Sequence, residues 1–234
     1  MDNTASKSSV ILVVDDEIHI LAILQRTLEM EGFRVHTTSG AIEALNLLDQ
    51  QPFDLVITDI MMPGMDGFSL CKSIREFSQI PIIMLTAKDS EEDILKGFTL
   101  GVDDFISKPF SRKELSARVK AVLRRGGAFG TSPVTPDFHS DHLDINFERR
   151  QIIREGQEIS LTPTEYRLLQ ELVINKGKVL TYTFLLQKVW GAEYRDEKQY
   201  LHVFTEKLRL KIEPDPSHPQ YIQNVFGVGY EFKP

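Results

Sequence analysis

Short apolar segments alternate with amphipathic segments over the first half of the chain, and this alternation constrains the fold more than any other feature. The amphipathic segments have helical spacing; in the first of them, Ile18, Leu21, Leu24 and Leu28 would share one face. Repeated β–α units of this kind predict an α/β doubly wound fold with a five-stranded parallel sheet. The predicted strands lie at residues 10–14, 34–37, 55–57, 81–85 and 105–106.

The composition excludes several classes of protein. The chain has 234 residues, of which 41% are hydrophobic and 26% charged, so it can form two folded domains and is not disordered throughout. It has no run of about 18 to 20 apolar residues that would span a membrane, and its N-terminus lacks the pattern of a signal peptide. We therefore expect a cytoplasmic protein. The single cysteine, Cys71, has no partner for an internal disulfide.

A segment rich in Gly, Ser, Thr and Pro interrupts the alternation at residues 126–136 and predicts a flexible linker. The expected domains are 9–125 and 139–234, with the linker at 126–138. The second domain should begin with a small antiparallel sheet. Three helices follow, the first opened by a capping box of Thr162 and Glu165, and the last residues predict a hairpin.

Ionisable and hydroxyl side chains lie at the carboxyl ends of the predicted parallel strands. Asp15 and Asp16 follow the first strand, Asp59 the third, Thr86 the fourth and Lys108 the fifth. Ligands of open parallel sheets bind at this edge, and three converging carboxylates would repel one another unless a cation such as Mg²⁺ lay among them. A carboxylate nucleophile with a metal, a hydroxyl and a lysine suits a phosphoryl acceptor. We therefore predict phosphoryl transfer to Asp59.

These side chains lie in four short motifs: VVDDE at 13–17, DIMMPGMDG at 59–67, LTAK at 85–88 and GVDDFISKPF at 101–110. With them, residues 9–125 resemble two-component receiver domains, which have a flavodoxin-like fold. The resemblance implies that a sensor histidine kinase phosphorylates Asp59, that Thr86 and Lys108 bind the phosphoryl group, and that the bond before Pro109 is cis. It also implies Mg²⁺ ligands, which would be Asp15, Asp16, Asp59 and the carbonyl of Met61.

Two alternative functions stay open at this point. Phosphatases of the haloacid dehalogenase class also combine a nucleophilic Asp with a hydroxyl, a Lys and Mg²⁺, but they need a second Asp two residues later. That position is Met61, which cannot transfer a proton, so we expect no enzyme and only slow self-dephosphorylation. The other alternative is a phosphorylation-gated module that binds protein rather than DNA.

The receiver resemblance also implies a switch and a dimer face. The switch residues would be Thr86 and Phe105, which stands where many relatives carry a Tyr that swings inward on activation. Phe105 could act by packing, without a hydroxyl hydrogen bond, or be only a core residue. Relatives dimerise through the fourth helix, fifth strand and fifth helix, and Ile94 replaces a basic residue there. The matching positions on this face are Ile94, Asp103, Asp104, Glu114 and Arg118.

Helical spacing predicts that Leu201, Phe204, Leu208 and Ile212 face the core of the second domain. Four short motifs are also present there: LTPTEYRLL at 161–169, GKVL at 177–180, VWG at 189–191 and GVGY at 227–230. With these motifs the second domain resembles the OmpR/PhoB effector domain, a winged helix-turn-helix α+β domain whose last helix enters the major groove. Residues 200–216 resemble the KdpE branch more than the PhoB branch.

The resemblance implies a set of DNA-binding residues on the last helix and the hairpin. Lys207 matches a base-contacting Arg of relatives, whereas Arg209 would bind either phosphate or an acid of the same chain. Glu206 and Phe226 replace arginines of relatives, so minor-groove contact by the hairpin is not expected. The candidate DNA contacts are Lys198, His202, Thr205, Lys207, Arg209, Lys211, Asn224 and Tyr230.

Together these features predict a phosphorylation-activated transcriptional regulator of a two-component system that binds tandem promoter half-sites as a dimer. The net charge is −7, and neither half of the sequence is basic overall. Affinity for DNA must therefore come from a local basic stripe. The loop at residues 191–197 corresponds to a segment that contacts RNA polymerase in some relatives, unless its acidic residues are only solvated.

Overall fold

The computed structural model describes residues 8–87, 91–127 and 137–233. The chain divides into two compact units between Gly126 and Gly127. Most of the predicted linker, residues 128–136, lies outside the described residues. No helix in the described part of the chain is long and apolar enough to cross a membrane.

The N-terminal unit alternates strands and helices as the sequence predicts. Its elements are β1 (Val10–Val14), α1 (Ile18–Met30), β2 (Arg34–Thr38), α2 (Ala41–Gln50), β3 (Leu55–Asp59), α3 (Gly67–Arg75), β4 (Ile82–Thr86), α4 (Glu91–Leu100), β5 (Asp104–Ser107) and α5 (Arg112–Gly127). The five strands form one parallel sheet in the order β2-β1-β3-β4-β5. The predicted doubly wound fold is confirmed.

Burial of the central strands explains why their sequences are continuously apolar. Every residue of β1, β3 and β4 is buried, as expected for a parallel sheet that helices cover on both faces. In α1, Leu21, Leu24 and Leu28 pack into this core. The expectation that Ile18 joins them is wrong, because Ile18 is 75% exposed. It is the first helical residue, and side chains tilt toward the N-terminus of a helix, so it projects beyond the helix start.

The C-terminal unit combines two small antiparallel sheets with three helices. Its elements are β6 (Phe138–His139), β7 (Leu143–Asn146), β8 (Gln151–Arg154), β9 (Gln157–Glu158), α6 (Pro163–Ile174), β10 (Val179–Thr181), α7 (Tyr182–Val189), a 3-10 helix (Ala192–Tyr194), α8 (Lys198–Ile212), β11 (Ile222–Val225) and β12 (Gly229–Phe232). One sheet has the order β6-β7-β8-β9 and the other β10-β12-β11. This arrangement confirms the predicted winged helix-turn-helix domain.

A capping box at the start of α6 and the buried apolar face of α8 define the helices of this unit. The Thr162 side chain accepts a hydrogen bond from the Glu165 amide while the Glu165 side chain accepts one from the Thr162 amide, so the predicted capping box is formed. The four predicted core residues of α8 are fully buried. One of them, Phe204, packs against Trp190, with ring centroids 5.3 Å apart. The core therefore fixes which face of α8 is turned outward.

Candidate functional site

The carboxyl edge of the parallel sheet brings together the predicted phosphoryl-acceptor residues. Asp59 is the last residue of β3 and pairs in register with Leu85, so Thr86 lies at the end of the neighbouring strand. Asp15 directly follows β1, on the other side of β3. Asp15, Asp59 and Thr86 are all buried, with Asp59 only 6% exposed. The strand ends thus place polar side chains at an otherwise apolar sheet edge.

Lys108 connects the two buried carboxylates. Its Nζ lies 2.8 Å from Oδ2 of Asp15 and 2.9 Å from Oδ1 of Asp59. Burial lowers the pKa of Lys108, but hydrogen bonds and charges from the two carboxylates outweigh it and raise that pKa above its ordinary value. The Lys108 amide also donates to the Thr86 carbonyl at 2.6 Å, and the Lys108–Pro109 bond is cis, as predicted.

The remaining oxygens of the two carboxylates accept hydrogen bonds from backbone amides. Asp59 Oδ2 accepts from the Met61 amide at 3.0 Å, and Asp15 Oδ1 accepts from the Glu17 amide at 2.9 Å. Asp16 is exposed, so the structure joins only two of the three carboxylates that were expected to converge. Among residues 8–87, 91–127 and 137–233, no three His, Cys, Asp or Glu side chains are grouped as a metal site.

The donor set nevertheless fits Mg²⁺ chemically. Mg²⁺ commonly takes one or two carboxylates and completes its shell with water and phosphate oxygens. Asp15 and Asp59 supply two carboxylates that meet at one ammonium group. One ammonium beside two carboxylates leaves a net negative charge, which favours a further cation.

Phe105, the predicted switch residue, is buried beneath α4. Its side chain is 4% exposed and packs edge-on against Phe98 with ring centroids 5.0 Å apart. A Cβ at Gly97 would overlap Cζ of Phe105 and lie 3.2 Å from Cε1 of Phe68. The absence of a side chain at Gly97 therefore makes room for the Phe105 ring.

The predicted dimer face contains ion pairs within the single chain. Asp103 and Asp104 are fully buried; Asp103 pairs with Arg75 at 3.2 Å, and Asp104 pairs with Arg118 at 3.1 Å. Arg118 also pairs with Glu114 at 3.4 Å. Ile94 is partly exposed on α4. A role of these residues between two copies of the chain stays a prediction.

In the C-terminal unit, a buried carboxylate gathers two of the predicted DNA-binding lysines. Glu165 Oε1 lies 3.1 Å from Nζ of Lys207, and Oε2 lies 2.6 Å from Nζ of Lys211. Burial raises the pKa of Glu165, but the charges of the two lysines and the hydrogen bonds of Lys211 and the Thr162 amide lower it overall. The first helix of the domain is thereby fastened to α8.

Other predicted DNA contacts are also occupied within the chain. Arg209 is 8% exposed, donates to the Ile222 carbonyl at 2.8 and 3.1 Å and contacts Glu206 at 2.7 Å. Thr205 is fully buried and Tyr230 is 2% exposed, so neither has appreciable surface for DNA in this structure. The burial of Thr205 corrects the expectation for α8, which is covered on its flanks by α6 and by the hairpin strands. The burial of Tyr230 corrects the expectation for the hairpin.

The predicted contacts that do reach the surface are few, and sequence reasoning missed several of their neighbours. Lys198, His202 and Asn224 are exposed. His202 Nδ1 lies 2.7 Å from the Tyr230 hydroxyl, which joins α8 to the hairpin. The exposed or half-exposed neighbours on α8 that were missed are Gln199, Val203, Glu206 and Leu210. Their helical spacing, which places them opposite the core residues, was the sequence signal that they reach the surface.

Two family models match the chain, one in each unit. Residues 11–120 match the family model described as response regulator receiver domain. Residues 156–232 match the model described as transcriptional regulatory protein, C terminal. The chain is similar to the crystal structure of DrrB from Thermotoga maritima, an OmpR/PhoB homolog, with 32% identity over 97% of this chain and 100% of that one and a TM-score of 0.52.

The chain belongs to the OmpR/PhoB family of response regulators. A mutant of RitR is similar over 96% of this chain and 99% of that one, at 26% identity and a TM-score of 0.74. A two-component response regulator from Clostridium difficile covers 52% of this chain at 30% identity, with all of that chain matched and a TM-score of 0.50. This OmpR/PhoB-family protein is thus a phosphorylation-activated, DNA-binding transcriptional regulator of a two-component system.

Proposed function

We propose that a sensor histidine kinase phosphorylates Asp59 and that two phosphorylated copies of the chain then bind tandem promoter half-sites. The observation that carries this proposal is the state of the Asp59 carboxylate. It is 6% exposed at the end of β3, with one oxygen held by Lys108 and the other by the Met61 amide. A carboxylate oriented in this way is prepared for attack on phosphorus.

In the transfer, a carboxylate oxygen of Asp59 attacks phosphorus while the bond from phosphorus to the histidine nitrogen of the kinase breaks. The product is an acyl phosphate on Asp59, and the histidine leaves. Lys108 stabilises negative charge on the phosphoryl oxygens, and the Thr86 hydroxyl donates a hydrogen bond to one of them. Asp15, Asp16, Asp59 and the Met61 carbonyl would hold Mg²⁺, which when bound supplies further positive charge at the phosphoryl group.

We propose that the site retains the phosphoryl group rather than acting as an enzyme. Fast hydrolysis of an acyl phosphate needs a group that removes a proton from water. The residue two positions after Asp59 is Met61, which is 67% exposed and has no titratable group. This argues against a Mg²⁺-dependent phosphohydrolase. The match of residues 156–232 to a transcription-regulator domain argues against a module that binds only protein.

The proposed activation involves the switch residues and the dimer face. Movement of Thr86 toward the phosphoryl group would change the packing of Phe105, and the face with Ile94, Asp103, Asp104, Glu114 and Arg118 would pair with a second copy. A change from mostly inactive to mostly active requires about 5 kcal/mol of differential stabilisation. Phosphoryl contacts and dimer contacts together can supply this difference.

We also propose that the protein acts in the cytoplasm. The exposed acidic residues of the loop at 191–197 would be available for contact with RNA polymerase.

The test is a comparison of Asp59→Asn with wild type after treatment with a small phosphodonor and Mg²⁺. The wild type should form an acyl phosphate, shift to a dimer and bind promoter DNA more tightly, with affinity that falls steeply as salt rises. Asp59→Asn should do none of these. Asp49→Asn, an exposed Asp in α2, is the matched control and should behave as wild type. Full labelling of Asp59→Asn would exclude the proposed acceptor.

A further inference from the structure

One face of α8 is turned away from the domain core and carries no lysine or arginine. The face consists of Gln199, His202, Val203, Glu206 and Leu210, and we call it the outer stripe of α8. With 3.6 residues per turn, these positions fall on one side of the helix. His202, Glu206 and Leu210 are exposed, and Gln199 and Val203 are half-exposed. The outer stripe therefore lies opposite the buried Leu201, Phe204, Leu208 and Ile212.

The basic residues of α8 flank the outer stripe and are held against the domain. Lys207 and Lys211 both pair with the buried Glu165, and only 13% of the Lys207 side chain is exposed. Arg209 is anchored on the Ile222 carbonyl. To reach a base, Lys207 would have to leave a carboxylate that has no access to solvent. Glu165 would keep Lys211 and the Thr162 amide on Oε2 but would lose the cation beside its buried Oε1. Removal of one partner from a buried ion pair is destabilising, so this movement is disfavoured.

Two side chains of the outer stripe are already oriented by their neighbours. His202 Nδ1 contacts the Tyr230 hydroxyl at 2.7 Å, and its ring packs edge-on against Tyr182 at 5.5 Å. Glu206 Oε1 accepts from Arg209 at 2.7 Å while 60% of the Glu206 side chain stays exposed. Groups fixed before binding lose less conformational entropy when they bind. Both residues are thus suited to directional contacts.

We propose that the outer stripe of α8, and not Lys207, makes the sequence-specific base contacts of this protein. This inference rests on the proposed DNA-binding function and names the residues that determine its specificity. In the major groove, Glu accepts from the cytosine amino group, Gln pairs with adenine and an apolar side chain contacts the thymine methyl. Glu206, Gln199 and Val203 supply these three chemistries. The preferred sequence then depends on cytosine and A·T contacts rather than on an arginine–guanine pair.

The experiment is selection from randomised DNA duplexes with the full chain, phosphorylated by a small phosphodonor with Mg²⁺. Wild type is compared with Glu206→Gln, Val203→Ala and the matched flank variant Lys207→Met. Glu206→Gln should weaken discrimination for cytosine at one position by about tenfold and shift it toward adenine. Val203→Ala should relax preference for thymine. Lys207→Met should keep the wild-type preferences, even if its overall affinity falls.

Lys207→Arg keeps a cation beside Glu165 and serves as a second variant in case Lys207→Met does not fold. It should also keep the wild-type sequence preferences. The inference is overturned if the Lys207 variants lose preference at one base pair while Glu206→Gln and Val203→Ala select the wild-type sequence. It is also overturned if Glu206→Gln lowers affinity equally for all sequences. Failure of the wild type to select any sequence would instead contradict DNA binding itself, so the two failures are distinguishable.

Discussion

The Nζ atom of Lys108 lies 2.9 Å from Oδ1 of Asp59, in a site where the same nitrogen also contacts Asp15. The lysine provides the positive charge that allows two buried carboxylates to lie side by side. In the proposed transfer to Asp59, its partner would change from the Asp59 carboxylate to the phosphoryl oxygens. Loss of Lys108 should consequently affect stability and activation in different ways.

Replacement of Lys108 by Met should lower the free energy of unfolding by about 2 kcal/mol, because it leaves the carboxylates of Asp15 and Asp59 without a cation. Urea unfolding measures this difference. Addition of Mg²⁺ should stabilise the variant more than the wild type, since a dication can replace the lost charge. Lys113→Met, at an exposed position of α5, is the control and should change little. Equal stability of Lys108→Met and wild type without Mg²⁺ would contradict the assigned role.

Replacement of Met61 by Glu should accelerate loss of the acyl phosphate. The Met61 amide contacts Asp59 and its side chain is exposed, so a carboxylate there can remove a proton from an attacking water. We expect about a tenfold faster decay, less than the full contribution of a well-positioned general base. The measurement is the time course of phosphoprotein decay after removal of the phosphodonor. The acyl phosphate of Met61→Leu should decay at the wild-type rate. If it also decayed at the wild-type rate in Met61→Glu, the lack of a general base at position 61 would not explain why the acyl phosphate persists.

The sequence predicts the N-terminal fold well because its strands are buried on both faces. Such strands leave continuous apolar runs that stand out between amphipathic helices. The sequence does not predict β10, because this strand is short and has no continuous buried apolar run. It has three residues and owes its existence to pairing with β12, where Val179 lies opposite Glu231. Pairing between distant segments leaves little trace in local sequence.

The phosphoryl-acceptor site was predictable from strand ends, whereas the surface of α8 was not. Helical spacing correctly placed the four core residues of α8. It could not show that Lys207 and Lys211 turn toward Glu165, because the direction of a long side chain depends on a charge more than 40 residues away in the chain. For Arg209, the sequence left phosphate and an internal acid open. The structure shows the internal contact with Glu206.

Replacement of Glu165 by Gln should destabilise the C-terminal unit by about 3 kcal/mol, because the partners of a buried carboxylate are left unpaired. The pKa of Glu165 is lowered in the fold. Its contribution is therefore present above the ordinary value of 4.5 and is lost as pH falls through the folded value. The stability difference between wild type and variant, measured by urea unfolding over a pH series, should shrink at acidic pH.

Glu158→Gln, at an exposed position of β9, is the control for Glu165→Gln and should change stability little at any pH. A stability difference for Glu165→Gln that stayed constant into acid would show that the loss does not come from the charge of Glu165. The charge of Glu165 would then not hold Lys207 and Lys211 in place. The proposal that the outer stripe of α8, and not Lys207, contacts the bases would then lose its physical basis.

Replacement of Gly97 by Ala tests the space that holds Phe105. Ala favours a helix over Gly by about 1 kcal/mol, but its Cβ would overlap the Phe105 ring, and overpacking a core costs about 1 to 3 kcal/mol. We expect a net loss of about 1 kcal/mol in urea unfolding of the wild-type background. In a Phe105→Leu background the overlap is removed, so the same change should be neutral or stabilising. If Gly97→Ala lowered the free energy of unfolding equally in both backgrounds, Gly97 would not be needed to accommodate the Phe105 ring. Phe105 could then not transmit a change at Thr86 to α4 through this contact.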